Sequence, residues 1–338
     1  MKKIRVGING FGRIGRVTLR LLLERQDFEI AAINDLTPPE QNVHLLKYDS
    51  VHGPFKGRVE TDGKQMWVGD QAVKIFSQRD PVEIPWKDLG VDIVFESTGI
   101  FTGFDGASKH LKAGARRVIV SAPTKDTEKV RTLVYGINHE TFDPARDLVV
   151  SNASCTTNCL APVVKVLHDR FKVQRGLMTT VHSYTNDQRI LDLGHSDFRR
   201  MRAAALNMIP TSTGAAKAVT LVIPELKGKL TGTAVRVPTP NVSLVDFVAD
   251  LGATVTEADV NAAFTDAAGK APLKGILQAV KEELVSSDFN GSRFSSSVDL
   301  ASTLVVDVSM VKVLSWYDNE SGFSQRMIDL AAYIAGRG

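Results

Sequence analysis

The apolar run Ile4-Arg5-Val6-Gly7-Ile8-Asn9 ends in Gly10-Phe11-Gly12-Arg13-Ile14-Gly15 and passes directly into a helical pattern over residues 14–25. This junction constrains the fold more than any other segment. In the spacing G-x-G-x-x-G, the first glycine permits a tight turn. The second lets backbone approach a pyrophosphate, and the third lets the helix pack closely on the strand. A second apolar run, 29–33, follows and ends at Asn34-Asp35. Asp35 lies twenty residues past Gly15, where a carboxylate accepts hydrogen bonds from the hydroxyls of an adenosine ribose. Gly10, Gly12, Gly15 and Asp35 together predict a strand–helix–strand unit that binds a dinucleotide.

Asp35 also bears on which dinucleotide. A phosphate on the ribose 2′-oxygen would sit beside the carboxylate. Two unit charges about 4 Å apart repel by about 1 kcal/mol in water and about 4 kcal/mol at an intermediate dielectric. The following Leu36-Thr37-Pro38-Pro39 supplies no cation to relieve this. NAD is the expected cofactor.

Further strand-like runs occur at 92–96, 117–120, 133–135 and 148–150, with another helical pattern at 106–113. Strands alternating with helices imply a parallel sheet covered on both faces. Beyond Cys155 the texture changes. Longer strand patterns at 176–182, 231–237, 243–251 and 303–316 are joined by helical patterns at 257–268 and 273–279, and 286–297 reads as a surface loop. The expected fold class is therefore α/β: a Rossmann-type dinucleotide-binding domain, residues 1–154, followed by an α+β catalytic domain, residues 155–318, with a mainly antiparallel sheet. The last helical pattern, 321–335, lies in the C-terminal segment 319–338 that is expected to complete the first domain.

The chain's 338 residues exceed what one core usually holds. Its 41 Lys+Arg against 38 Asp+Glu leave a net charge of +3, too small to argue for nucleic acid or a membrane surface as the main partner. No apolar run approaches a membrane span, and Asn9 and Arg13 interrupt any signal-like segment, so a cytoplasmic protein is expected. Only two cysteines are present, Cys155 and Cys159, four residues apart. Neither a disulfide framework nor a metal site is expected from them.

Cys155 stands in Ser151-Asn152-Ala153-Ser154-Cys155-Thr156-Thr157-Asn158-Cys159, between a strand-like run and the apolar pattern 160–167. A strand, a polar turn and a helix starting near Cys155 is the natural reading. Unpaired N–H groups at a helix start favour a thiolate, and such a setting can lower a thiol pKa from about 8.5 to roughly 3.5–7.5. The plainer reading is a small buried residue among capping threonines. Of seven histidines, His182 has the setting of a catalytic partner: it ends the run 177–181 and precedes Ser183-Tyr184-Thr185-Asn186-Asp187.

The Ser154-Cys155-Thr156-Thr157-Asn158 core with Cys159, the glycine fingerprint and Asp35 resemble the phosphorylating glyceraldehyde-3-phosphate dehydrogenase family. So do His44-Leu45-Leu46-Lys47-Tyr48-Asp49-Ser50, residues 184–193, Arg236-Val237-Pro238-Thr239-Pro240-Asn241 and Trp316-Tyr317-Asp318-Asn319-Glu320, in the family's order along the whole chain. The resemblance implies NAD-dependent oxidation of glyceraldehyde 3-phosphate, with inorganic phosphate, to 1,3-bisphosphoglycerate. Cys155 is then the nucleophile and His182 its ion-pair partner and proton carrier. It further implies Ser154, Thr156, Thr185, Arg200, Thr213, Gly214 and Arg236 as binders of the two anionic groups. Thr213-Gly214 also reads as a helix cap, and Arg199-Arg200-Met201-Arg202 as a solvated or intersubunit charge run, so Arg200 is one of two candidates with Arg199. For the cofactor it implies Arg13 and Ile14 at the pyrophosphate, Arg79 and Ser121 nearby, and Asn319 at the nicotinamide carboxamide. The last three also read as loop or cap residues. A homotetramer is implied.

One departure is Gly194, where many NAD-preferring relatives carry proline; small residues there accompany NADP use. With Asp35 and Leu193 retained, NAD preference is still expected. The alternatives weighed are an erythrose-4-phosphate dehydrogenase, an NADP-accepting anabolic form, and a non-catalytic binding protein.

Overall fold

The computed structural model describes residues 2–337 and divides the chain into two compact units. The first comprises 1–133, 141–153 and 324–338; the second comprises 134–140 and 154–323. The segment 134–140 thus groups with the second unit although it lies far upstream of Cys155.

In the first unit, β1 (Ile4–Asn9), α1 (Arg13–Leu22), β2 (Phe28–Asn34), α2 (Pro39–Lys47), β3 (Val59–Thr61), β4 (Gln65–Val68) and β5 (Gln71–Phe76) precede β6 (Ile93–Glu96). Then come α3 (Phe104–Ala107), α4 (Lys109–Lys112), β7 (Arg117–Val120), β8 (Arg131–Thr132) and β9 (Val149–Ser151). Among the described residues nine strands form one sheet in the order β3-β4-β5-β2-β1-β6-β7-β9-β8. All pairings are parallel except β3–β4 and β4–β5. The central strands are apolar on both faces, as a sheet covered on both sides requires.

Strand order reverses between β1 and β6, and the carboxyl ends of strands at such a switch point form the usual crevice for a ligand. Gly10 follows β1 there with φ 91°, and a Cβ on it would lie 2.6 Å from the Thr98 nitrogen. Beneath this turn lies a buried polar network. Glu96 accepts hydrogen bonds from Asn9 Nδ2 (2.6 Å), His110 Nε2 (2.9 Å) and the Thr98 nitrogen (2.8 Å), and pairs with the Thr98 hydroxyl. Trp86 Nε1 donates to His110 Nδ1 at 2.9 Å, which leaves the His110 proton on Nε2, facing Glu96. One carboxylate therefore ties the end of β1 to the turn after β6.

The second unit contains α5 (Cys155–Phe171), β10 (Val173–Ser183), β11 (Ile209–Ser212), α6 (Ala215–Val222), β12 (Leu230–Val237) and β13 (Ser243–Leu251). It continues with α7 (Glu257–Gly269), β14 (Leu277–Val280), β15 (Ser296–Val306), β16 (Met310–Tyr317) and the start of α8 (Ser321–Ala335), whose residues from 324 belong to the first unit. Its sheet runs β11-β12-β10-β13-β16-β15-β14, with only β10–β12 and β14–β15 parallel. Strict alternation along β13 buries Ser243, Val245, Phe247, Ala249 and Leu251, and α5 packs on β13, β15 and β16.

Several local expectations give way. The run 273–279 is not a helix: Pro272 and Gly275, at φ 77°, punctuate it, and its end forms β14. The pattern 303–316 is two strands, because Asp307 and Val308 (φ 47° and 55°) turn the chain between β15 and β16. Residues 295–297 are buried rather than loop, since the Ser296 and Ser315 hydroxyls pair at 2.7 Å inside the sheet. The strand expected at 133–135 is Arg131–Thr132 instead, and 106–113 falls into the two short helices α3 and α4.

The glycines of the fingerprint separate stability from binding. A Cβ at Gly15 would meet the Gly10 carbonyl oxygen at 2.2 Å, whereas one at Gly12 meets nothing within 4 Å. Gly15→Ala is expected to cost about 1–3 kcal/mol and several degrees of thermal midpoint, while Gly12→Ala melts like the wild type. Equal melting of all three proteins would contradict this packing.

Candidate active site

The open space at Gly12 lies where a pyrophosphate would approach backbone, at the start of α1. Asp35 directly follows β2, and its carboxylate accepts hydrogen bonds from the Phe11 nitrogen (2.6 Å) and the Thr37 nitrogen (2.8 Å). The carboxylate is thereby fixed against the glycine turn while staying half-exposed. These features fit the adenosine half of a dinucleotide. Ile14 is half-buried in the first turn of α1, Arg79 is exposed, and Ser121 follows β7, its nitrogen bonded to the Glu96 carbonyl at 2.9 Å. Arg13 is salt-bridged to the buried Asp49 at 2.7 Å. That bridge and the Val51 and His52 nitrogens hold the Asp49 pKa down at about 2, against the opposing effect of burial.

In the second unit the helix start is built as its sequence requires. Ser154, in extended geometry, caps α5 by accepting from the Thr157 nitrogen at 3.0 Å. Ala153, at φ 58°, makes the turn immediately before it, a left-handed conformation a larger side chain would strain. Cys155 is the first helical residue, half-buried, with Sγ 3.5 Å from Nε2 of His182 on β10. Cys159, one turn on, is fully buried, its sulfur 3.7 Å from both the Ser296 hydroxyl and the Ser315 carbonyl.

Arg236 on β12 completes the cluster, directly across from His182 in the parallel register. Its Nη1 lies 2.7 Å from His182 Nδ1 and donates to the Ser183 carbonyl at 2.8 Å. The same carbonyl is 2.7 Å from His182 Nδ1. With the proton on Nδ1, the imidazole donates to Ser183 and turns the Nε2 lone pair to the thiol. With the proton on Nε2, Nδ1 accepts from Arg236. The guanidinium accommodates both neutral tautomers and opposes the charged ring. Burial first, then Arg236, pushes the His182 pKa down to about 3. Burial also pushes the Cys155 thiol up, against the pull of Arg236 and the Thr156 hydroxyl. Neither group favours charge alone, so the expected easy ionisation of the thiol is absent for Cys155 by itself. Transfer of the proton from sulfur to Nε2 leaves the pair's net charge unchanged and avoids most of the burial penalty.

The anion-binding candidates surround this pair unevenly. Arg200 is held by Asp187 (2.6 Å), the Thr211 hydroxyl (2.9 Å) and the Ser212 carbonyl (3.2 Å). Arg199 is exposed and reaches only the Pro210 carbonyl, at 3.5 Å. The Thr213 hydroxyl accepts from the Ala215 nitrogen at 3.2 Å, and Gly214 is the residue at the N-cap of α6. Thr185 closes a turn to the Gln188 nitrogen. Asn319 is buried, its Oδ1 accepting from the Ser183 (2.8 Å) and Ser243 (3.0 Å) hydroxyls. The cap of α8 belongs instead to Asp318, which accepts from the Glu320 and Ser321 nitrogens. Sequence reasoning gave no role to Tyr317, Thr180 or the carboxylates Asp187 and Asp197 around Arg200. A tyrosine two residues before Asn319, at the end of a strand-like run, was the available signal.

Among the described residues no group of His, Cys, Asp and Glu is arranged to hold a metal ion, and no helix is long and apolar enough to cross a membrane. A Rossmann unit, with a thiol–imidazole pair at a helix start in the other unit, fits the class of NAD-dependent oxidoreductases. Comparison with known proteins narrows the class. Residues 4–104 match the family model described as glyceraldehyde 3-phosphate dehydrogenase, NAD binding domain, and residues 154–319 match that family's C-terminal domain. The chain is 58% identical over 335 residues to glyceraldehyde-3-phosphate dehydrogenase 1 of Bacillus subtilis (strain 168) and to glyceraldehyde-3-phosphate dehydrogenase of Geobacillus stearothermophilus, covering 99% of each chain. It is 52% identical to the Streptomyces coelicolor glyceraldehyde-3-phosphate dehydrogenase, again over 99% of both. The chain belongs to the glyceraldehyde-3-phosphate dehydrogenase family.

The electrostatics of the pair set a pH expectation. Because His182 takes the thiol proton without leaving an isolated buried charge, His182→Asn strands that charge and raises the thiol pKa. The midpoint of Cys155 alkylation against pH moves up by about one unit or more. An unmoved midpoint would mean that the thiol ionises independently of His182.

Proposed function

We propose that the chain catalyses the NAD-dependent, phosphorylating oxidation of D-glyceraldehyde 3-phosphate to 1,3-bisphosphoglycerate. The observation that carries the reading is the Cys155–His182 pair at the start of α5, 3.5 Å apart. Its proton passes from Sγ to Nε2 as sulfur bonds to the aldehyde carbon, and the carbonyl oxygen becomes a hydroxyl in a thiohemiacetal. The backbone N–H of Cys155 and the protonated ring stabilise the oxyanion on the way. Neutral His182 then receives the hydroxyl proton while the carbon loses hydrogen with its electron pair. Bound NAD would supply the acceptor for that hydrogen and its electrons. Gly10, Gly12, Arg13, Ile14, Gly15, Asp35, Arg79 and Ser121 are the residues that would hold it, with Asn319 orienting the carboxamide. The product on the enzyme is a Cys155 thioester. A phosphate oxygen attacks the thioester carbon, the C–S bond breaks, and the acyl phosphate leaves the thiolate behind.

Ser154, Thr156, Thr185, Arg200, Thr213, Gly214 and Arg236 are assigned to the substrate phosphate and the attacking phosphate. Supporting Arg200 over Arg199 is its place beside Thr211 and Ser212, with its charge felt at His182, while Arg199 lies exposed. Arg236 suits an anion because its planar fork donates in several directions.

A homotetramer acting in the cytoplasm completes the proposal. Its support is apolar surface: Ile190, Leu191, Leu193, Phe198, Leu206 and Met208 are each at least 68% exposed within one stretch of chain. Exposed large apolar side chains gathered in one segment are a mark of surfaces that meet another chain. Sedimentation at four chain masses is the expected result; a monomer would remove this part.

The function is tested by the ratio of kcat/KM for NAD and NADP with glyceraldehyde 3-phosphate and inorganic phosphate saturating. The Asp35 charge argument predicts a preference for NAD of about fivefold to a thousandfold, and Cys155→Ala abolishes turnover. Turnover without Cys155 would sink the mechanism, and parity between cofactors would show that Gly194 outweighs Asp35.

A further inference from the structure

Three strand ends of the second unit meet at one end of its sheet: the end of β10 at Ser183, the start of β13 at Ser243, and the end of β16 at Tyr317, two residues before Asn319. The antiparallel registers of β13 with β10 and with β16 bring them there. The backbone beside Asn319 is fixed from both sides. Tyr317 pairs with Ser243 in the ladder, and the Asp318 carboxylate accepts from the Gly291, Glu320 and Ser321 nitrogens and from Asn241 Nδ2. What is left open is which end of the Asn319 side-chain amide faces inward.

The buried protons make the choice. Ser183 and Ser243 are buried, and their hydroxyls lie 2.8 Å and 3.0 Å from one amide atom of Asn319. The Ser243 oxygen already accepts from the Ser183 nitrogen at 3.1 Å. With Oδ1 inward, each hydroxyl donates its single proton to it. With Nδ2 inward, both serine oxygens would have to accept. Their two protons would then be left with the 3.4 Å contact between the hydroxyls, which can use only one of them. A buried donor without a partner is costly, so Oδ1 faces the serines and the Nδ2 hydrogens point away from them. Among the described residues Nδ2 has no hydrogen-bond partner.

Ser183 also holds the catalytic imidazole. Its carbonyl accepts from Arg236 Nη1 at 2.8 Å and lies 2.7 Å from His182 Nδ1. One residue thus holds His182 by its backbone and Asn319 by its side chain. We propose that Ser183 and Ser243 are positioning residues for the cofactor: they lock the Asn319 amide with its N–H groups outward, so that it pairs with the carbonyl oxygen of a carboxamide and not with its NH2 group. Ser183 fixes that amide in register with His182. An unlocked amide could turn either end to the ligand, and binding would then have to order it first.

The inference rests on Asn319 as the residue that holds the nicotinamide carboxamide. The experiment is equilibrium binding of NAD, and of ADP-ribose, which lacks the nicotinamide, to the full-length protein without substrate. Combining Ser183→Ala with Ser243→Ala is expected to raise the Kd for NAD about three- to tenfold and to leave that for ADP-ribose unmoved. In an Asn319→Ala background the serine changes add nothing to the NAD value. The 3-acetylpyridine analogue of NAD carries a methyl group in place of the carboxamide NH2. Its affinity relative to NAD is the same in the wild type and in Asn319→Ala, since Asn319 makes no use of that NH2. If the double variant does not fold, Ser243→Ala alone decides, with a rise of about two- to threefold confined to NAD. An unmoved NAD affinity, an equal loss for ADP-ribose, serine effects that persist in Asn319→Ala, or an acetylpyridine penalty that vanishes in Asn319→Ala each overturns the proposal. Failure of the underlying reading looks different: Asn319→Ala itself would bind NAD as the wild type does, and the role of the serines would fall with it.

Discussion

A half-buried guanidinium sets the terms on which the second unit operates. Arg236 stands on β12 with its Nη1 shared between His182 Nδ1 and the Ser183 carbonyl. Burying a charge is costly unless it is hydrogen-bonded or compensated. Here the compensation is arranged in advance: an imidazole that remains neutral, a carbonyl, and a thiol whose ionised form it favours. The same cation that keeps His182 from holding a proton for long makes it an acid ready to give the proton back. The proposed cycle needs both behaviours from one ring, because it must accept a proton from sulfur, release it, and accept another from the hydroxyl.

The first unit solves a different problem with a buried anion. Among the described residues no lysine or arginine pairs with Glu96. Instead it gathers donors from Asn9, His110 and Thr98, and Trp86 fixes the His110 tautomer from behind. The strand end at Asn9 and the turn at 97–98 are thus tied to one point. The left-handed Gly10 lies between them with no room for a side chain. A loop that must present bare backbone to a pyrophosphate gains its rigidity from the strands under it, since its own residues have no side chains to pack.

How far the sequence was legible depended on whether the cause was local. The glycine spacing and the turn that carries Asp35 are dictated by backbone geometry over a few residues and were legible, whereas the cap of α5 is Ser154 and not one of the threonines that follow it. The run 273–279 misled because a short apolar stretch has no periodicity to separate helix from strand, and Pro272 and Gly275 were the decisive marks. The segment 303–316 misled for a related reason: its turn uses Asp307 and Val308 in left-handed conformations without a glycine to announce it. The pairing of Cys155 with His182, and of Tyr317 with Thr156 and Thr180, depends on strand register across β12, β10, β13 and β16. No spacing along the chain encodes those contacts, and only the family resemblance had suggested the first.

Cys159 sits a single helical turn from Cys155, but its surroundings differ completely. Buried without a cation and hydrogen-bonded only to neutral groups, its thiol is pushed up to about 12. At neutral pH it stays protonated and shielded from solvent. A protein with two cysteines therefore presents one addressable sulfur per chain, at a fixed point on the first turn of a rigid helix. That makes the wild-type sequence, with no cysteine removed, a ready scaffold for attaching a single spectroscopic or crosslinking probe at the heart of its chemistry.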